Sequence, residues 1–233
     1  MRITGLQKFT LIDYPGKIAC TLFMQGCNFR CGFCHNPELV IDSGSKNYDE
    51  KEILDFLEKR KKQLEAVCIT GGEPLISLDL DFLKKIKKLG YFIKIDTNGS
   101  FPGMLKKLLD LKLLDYVAMD IKASKEKYKE ITNSNVDLSK IEESIRLVAS
   151  LENYEFRTTI IEGKHSEDEI EKMMRWMKNL TGKKLKNFSL QGFKNSGKLL
   201  NESFKKEKNT SEKYLEDLKR IAEKYFENVE IMV

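Results

Sequence analysis

Apolar, β-rich runs alternate along this chain with segments of helical period, and each run ends in a polar or glycine-bearing loop. That rhythm marks repeated βα units, in which strands line up as a parallel sheet and helices cover it. The expected strands are Ile18 to Met24, Ala66 to Thr70, Tyr91 to Ile95, Tyr116 to Met119, Tyr154 to Ile161 and Asn187 to Leu190. A last run, Val229 to Val233, is a candidate seventh. Ile53, Leu54 and Leu57 form one helical stripe, and Phe82, Leu83, Ile86 and Leu89 another; both read as faces packed on a sheet. Asp49 and Asp79 are expected N-caps, and Pro102 suits a first helical position. Ser166 with Glu169 reads as a capping box ahead of Ile170, Met173, Met174 and Met177, whose methionines are expected to fill core. From Lys194 to Ser211 polar residues replace the periodicity, so a mobile loop is expected there.

A chain of 233 residues suits one large α/β domain, and no shift of composition marks a second, so residues 1–233 are read as a single domain. Hydrophobic residues make up 41% and charged residues 33%, a globular composition with no transmembrane stretch. The start MRITGLQKFTLIDYPGK lacks the features of a secretory signal, which makes a cytoplasmic location the expectation. The net charge of +5 comes from lysines interleaved with glutamates across helices, which argues only weakly for nucleic-acid binding; solvated helix faces laced with i,i+4 pairs are the expected reading. The dense run Lys59 to Lys62 falls where a helix C-terminus favours cations.

Five cysteines, three of them crowded, fit a reducing compartment better than a disulfide framework. Cys27, Cys31 and Cys34 stand at CX3CX2C spacing. Three thiolates supply all but one of the ligands of a four-iron cubane. Zinc is the competing reading, but a closed zinc site takes four ligands, and Cys20 and Cys68 have no partner at finger spacing. Both lie mid-strand and read as small buried hydrophobes. His35 follows Cys34 directly, and adjacent residues rarely reach one ion in good geometry.

This spacing, with the aromatic Phe33 just before the third cysteine, resembles the radical S-adenosylmethionine (radical SAM) superfamily. The resemblance implies a 4Fe-4S cluster held by Cys27, Cys31 and Cys34, with S-adenosylmethionine on the open iron. Gly71-Gly72-Glu73-Pro74 follows the second expected strand and resembles the segment that receives the cofactor's amino group in that superfamily. Asp96-Thr97-Asn98-Gly99 follows the third strand and Asp120-Ile121-Lys122 the fourth, both resembling segments of glycyl-radical activating enzymes. The resemblance implies cofactor contacts by Phe33, Gly72, Glu73, Thr97, Asn98, Asp120 and Lys122. It also implies a monovalent cation held by Asp96 and Thr97; the alternative for Asp96 is an ordinary turn residue. Arg157 is a candidate second carboxylate clamp. All these motifs fall after strands, where β/α barrels build their sites, so the expected fold is α/β, an incomplete β/α barrel of about six parallel strands of radical SAM type.

Asp13-Tyr14-Pro15-Gly16, Gln25-Gly26-Cys27 and Cys34-His35-Asn36-Pro37 recur in that order, as in the glycyl-radical activating proteins. The start LQKFTLIDYPGK is most similar to those serving anaerobic ribonucleoside-triphosphate reductase. This resemblance implies an enzyme that takes an electron from flavodoxin or ferredoxin and cleaves S-adenosylmethionine to a 5′-deoxyadenosyl radical. That radical draws a hydrogen from a glycine of a partner enzyme, with Asp13 near the entering glycine loop. No nucleic acid or membrane takes part. Two departures stand out: no cysteine follows Cys68, which excludes auxiliary clusters, and Gln191 stands where some activating enzymes carry a histidine. Three other classes stay open: a radical enzyme acting on a small molecule, of the 7-carboxy-7-deazaguanine synthase type; a zinc-binding structural module; and an iron-sulfur electron carrier.

Overall fold

All the expected strands form, with ends displaced by a few residues. They are β2 (Ala19–Met24), β3 (Ala66–Gly71), β4 (Phe92–Thr97), β5 (Tyr116–Asp120), β6 (Tyr154–Ile160), β7 (Leu185–Gly192) and β8 (Phe226–Met232). The computed structural model describes residues 1–41, 44 and 47–233. The helices are α1 (Pro37–Val40), α2 (Glu50–Arg60), α3 (Leu80–Lys88), α4 (Pro102–Asp110), α5 (Tyr128–Thr132), α6 (Leu138–Ala149), α7 (Glu167–Thr181) and α8 (Glu212–Ala222). None among the described residues is long and apolar enough to cross a membrane.

Packing groups the chain into two compact units. The first comprises Met1–Asn28, Glu38–Thr97 and Gly103–Val117. Its strands run in the order β1 (Ile3–Thr10), β2, β3, β4, followed by the opening residues of β5. β2, β3 and β4 are parallel. β1 (Ile3–Thr10) has no counterpart among the expected strands; it pairs antiparallel with β2 through two irregularities of register. Its sequence, ITGLQKFT, hides it because most of its side chains are exposed or half-buried. A strand held by ladder hydrogen bonds more than by buried side chains shows no clean alternation.

The second unit comprises Phe29–Pro37, Asn98–Pro102 and Ala118–Val233. It holds the end of β5 and then β6-β7-β8, with β6, β7 and β8 parallel. Phe226 of β8 packs on Phe156 of β6 and Phe188 of β7, with ring centroids 6.3 and 4.8 Å away. Ile170, Met173, Met174 and Met177 of α7 are fully buried, so these methionines are core.

Helix starts follow the expected chemistry in part. Asp79 Oδ1 accepts from the backbone N–H groups of Asp81 and Phe82 at 2.8 and 2.9 Å, and Asp49 caps α2 through Lys51 N at 3.2 Å. Pro102 is the first residue of α4. Ser166 Oγ accepts from Glu169 N at 3.3 Å, but only this half of the capping box forms. The buried Glu169 carboxylate instead accepts from Ser124 N at 2.8 Å, so a tertiary partner displaces the local one.

The stretch from Lys194 to Ser211 also differs from expectation, because it is folded. It contains a 3-10 helix at Glu202–Lys206, and Asn195 Nδ2 donates to the carbonyls of Lys205 and Glu207 at 2.6 and 2.8 Å. Side-chain to backbone bonds close such a segment without any hydrophobic period to announce it.

Candidate active site

In the first unit the parallel register pairs Met24 with Gly71, so Gln25-Gly26-Cys27 leaves β2 beside Gly71-Gly72-Glu73 leaving β3. Gly72 N donates to Met24 O at 2.9 Å, and Glu73 N to Gly26 O at 2.7 Å. A Cβ on Gly72 would lie 2.0 Å from Gly26 O, so only glycine lets the two loops approach. On the other side Gly26 N donates to Leu39 O at 2.7 Å, and Gln25 Nε2 to Glu38 O at 2.9 Å. Backbone bonds on both sides thus fix the residue ahead of Cys27.

Glu73 is 1% exposed, and its Oε1 accepts from Thr97 Oγ1 at 2.8 Å and from Leu75 N at 3.0 Å. The structure therefore joins three of the expected site residues, Gly72, Glu73 and Thr97. On the same strand as Thr97, the buried Lys94 places its Nζ 2.5 Å from Asp96 Oδ1, a pairing that no sequence motif signals. Asp13 Oδ2 accepts from Thr21 Oγ1 at 2.5 Å.

In the second unit Asp120, at the end of β5, accepts from Lys122 Nζ at 3.0 Å and from Arg157 Nε of β6 at 3.1 Å. Burial alone would raise its carboxyl, but the two cations outweigh it and hold Asp120 at about 2. Burial would likewise lower the Lys122 ammonium, and the Asp120 and Cys31 charges drive it above its ordinary value instead. Arg157, the candidate carboxylate clamp, pairs with Asp120 through Nε. The backbone at Lys122 is held by a residue that no motif singles out. His165 Nδ1 accepts from Ile161 N at 3.1 Å, which leaves Nε2 to donate to Lys122 O at 2.9 Å. Asn98 Oδ1 accepts from Ser100 N at 3.0 Å, and Gly99 O accepts from Ser144 Oγ at 2.6 Å, fixing the turn after β4.

The cysteine loop itself is tied at several points. Cys34 N donates to Cys31 O at 3.0 Å, and Arg30 N to Thr132 O at 3.0 Å. The segment expected to be mobile supplies two more bonds, from Asn201 N to Gly32 O at 2.9 Å and from Leu200 N to Cys34 O at 3.0 Å. Phe204 lies where a Cβ on Gly32 would be, and its ring centroid is 6.1 Å from that of Phe33. Phe33 is accordingly buried, as is Cys31, while Cys34 is half-buried. The one advance signal of this strap is Gly32, a residue without a side chain between two ligand candidates.

Three cysteines are the donor set of a 4Fe-4S cluster with one open iron. Among the described residues no three His, Cys, Asp or Glu side chains converge as a metal cage would require. A cubane gives each thiolate a different iron, so its ligands surround it rather than meet at a point. Cys20 and Cys68 are buried within β2 and β3; burial pushes the Cys20 thiol up to about 12 and raises that of Cys68 as well, so neither is a thiolate near neutrality. His35 is exposed and tilts against Phe193 at 5.8 Å. Gln191 Nε2 points to Met232 Sδ at 3.6 Å. Both line a cleft of about 340 Å³ with Thr159 and Lys194.

Residues 21–177 match the Radical SAM superfamily. The chain belongs to that superfamily. It is an enzyme of the radical SAM class, and the family implies a 4Fe-4S cluster and S-adenosylmethionine as its cofactors. A Methanocaldococcus jannaschii protein, provisionally named a glycyl-radical enzyme activating enzyme, is 33% identical over 98% of this chain and 95% of its own length. The pyruvate formate-lyase-activating enzyme of Clostridium pasteurianum is 35% identical over 52% of each chain. The crystal structure of a domain of pyruvate-formate lyase-activating enzyme from Bacteroides vulgatus superposes with a TM-score of 0.55 at 19% identity, over 72% of this chain and 99% of that one. The radical SAM α/β fold with its parallel sheet is thereby shown.

Proposed function

We propose that residues 1–233 act as one catalytic domain that installs a glycyl radical on a partner enzyme, with anaerobic ribonucleoside-triphosphate reductase as that partner. When bound, a 4Fe-4S cluster and S-adenosylmethionine supply reductive cleavage of a carbon–sulfur bond and the subsequent hydrogen abstraction. The observation that carries the reading is the likeness to an activating enzyme over 98% of the chain, well outside residues 21–177 of the superfamily core. A small-molecule radical enzyme would share the core without needing the flanks.

Each part of the chain has a task in this proposal. Cys27, Cys31 and Cys34 would hold the cluster, and the bonds to Gly32 and Cys34 would keep their loop in place. Gly72 and Glu73 offer backbone and carboxylate to the cofactor's amino group, and Phe33 and Asn98 shape the walls. Asp120, kept ionised, accepts from ribose hydroxyls. Lys122 donates one N–H to Asp120 and has others for the methionyl carboxylate. No side chain acts as general acid or base; the chain binds, orients and excludes water. The electron donor is a flavodoxin or ferredoxin, and the reaction belongs in an anaerobic cytoplasm.

The test is anaerobic reconstitution with iron and sulfide, then dithionite and S-adenosylmethionine, reading 5′-deoxyadenosine by chromatography and a protein radical by electron paramagnetic resonance. Nucleotide reductase and pyruvate formate-lyase are offered in parallel. A radical on the first supports the full proposal; a radical on the second alone removes the choice of partner. Cleavage with no protein radical on either removes activation.

A further inference from the structure

Strand β4 reads Phe92-Ile93-Lys94-Ile95-Asp96-Thr97, and its alternation sets Lys94 and Asp96 on one face. The register aligns Thr21 of β2, Cys68 of β3 and Lys94 of β4 in one buried row. Lys94 is 2% exposed, which for an ammonium demands a partner. Asp96 Oδ1 supplies it at 2.5 Å, and the Tyr116 ring centroid lies 5.9 Å from Nζ. The positive charge is held in place by a four-carbon tether and needs no ion from solution.

We infer that Lys94 is a built-in cation: its ammonium meets Asp96 where a monovalent metal ion would otherwise bind, so this site takes up neither K⁺ nor Na⁺. The two candidate metal ligands are both engaged, Asp96 by Lys94 and Thr97 by donating its hydroxyl to Glu73. A metal cation arriving at the same carboxylate would face the ammonium as well. At about 4 Å and an effective dielectric of about 20, like unit charges repel enough to weaken binding roughly a thousandfold. A thiol between Thr21 and Lys94 cannot relieve that repulsion, since Cys68 is neutral near pH 7.

The experiment compares the cluster-loaded full chain in KCl, NaCl and choline chloride at equal ionic strength, reading melting temperature and the S-adenosylmethionine dissociation constant. For the wild type both are expected to be the same in the three salts; a saturable response specific to K⁺ or Na⁺ overturns the inference. Lys94→Ala removes the charge and opens room for an ion, so that variant is expected to gain such a response. With ion at ten times its dissociation constant the folded-to-unfolded ratio rises about 11-fold, or about 3–6 °C in melting temperature at this chain length. A folded Lys94→Ala indifferent to the salt overturns the inference too. Should it fail to fold in choline chloride, folding in KCl supports the inference, and failure in every salt refutes replacement of the ammonium by a free ion. Melting requires no partner protein, so this test can fail while the proposed activation stands.

Discussion

Replacing Gly72 with alanine tests whether the GGEP turn holds the cysteine loop. The new Cβ would stand 2.0 Å from Gly26 O, 2.5 Å from Gly26 C and 3.1 Å from Cys27 N. All three are backbone atoms, so no rotamer change relieves the clash. Contacts under 3.0 Å are essentially never tolerated, so the loops must part by at least 1.0 Å. That breaks the bonds from Glu73 N to Gly26 O and from Gly72 N to Met24 O. Each lost bond between half-buried groups costs about 0.5–1.5 kcal/mol, so the variant should lose about 1–3 kcal/mol or fold with Cys27 displaced. Thermal melting monitored by circular dichroism reads the first result; iron and sulfide content per chain, with the visible absorbance of the reconstituted protein, reads the second. Gly103→Ala is the control, because nothing lies within 4 Å of its Cβ and its place in α4 favours alanine. It should be neutral or stabilising by up to about 1 kcal/mol. A Gly72→Ala protein with unchanged melting temperature, full cluster and ordinary S-adenosylmethionine cleavage would refute the reasoning.

Three further outcomes are expected. Lys122→Met removes a charged donor from Asp120, and calorimetry should show S-adenosylmethionine binding weakened by about 10- to 100-fold, the equivalent of about 1.5–3 kcal/mol. Phe204→Ala leaves Gly32 and Phe33 uncovered, so the reconstituted cluster should bleach several-fold faster in air while the far-ultraviolet dichroism stays unchanged. On acidification two groups act in sequence. His165 is lowered by burial, so the stability it contributes is complete above its ordinary 6.5 and falls as pH drops below that value; His165→Asn should flatten the melting profile between about pH 7 and 5. Asp120 is lowered from 3.8 to about 2, so its share, on the order of 2 kcal/mol, is present above pH 4 and fades between about 4 and 2.

Much of this protein is dictated by local chemistry alone. Alternating apolar runs place β2 to β8, because burying one face of a strand or helix leaves a periodic trace whatever lies opposite. The caps at Asp49 and Asp79 are legible for a similar reason, since a side chain reaching its own backbone needs no distant partner. The three cysteines and the polar ends of β3, β4 and β5 carry the resemblance to the radical SAM superfamily, because such motifs are written in residue type and spacing.

Tertiary structure decides what depends on residues far apart in the chain. β1 forms because β2 offers it a ladder, and Glu169 leaves its capping box because Ser124 presents an N–H. Asn201 and Phe204 settle on Gly32 across some 170 residues of sequence, and no period records that contact. Arg157 and Lys94 each look like one more basic residue on a strand until the fold sets a carboxylate within about 3 Å of each. A lone charge in an apolar run could only say that some partner was needed, since an unpaired ammonium does not stay buried. For Arg157 the answering carboxylate, Asp120, comes from another strand; for Lys94 it lies two residues along its own strand, and burial of that face by tertiary packing makes the pairing obligatory.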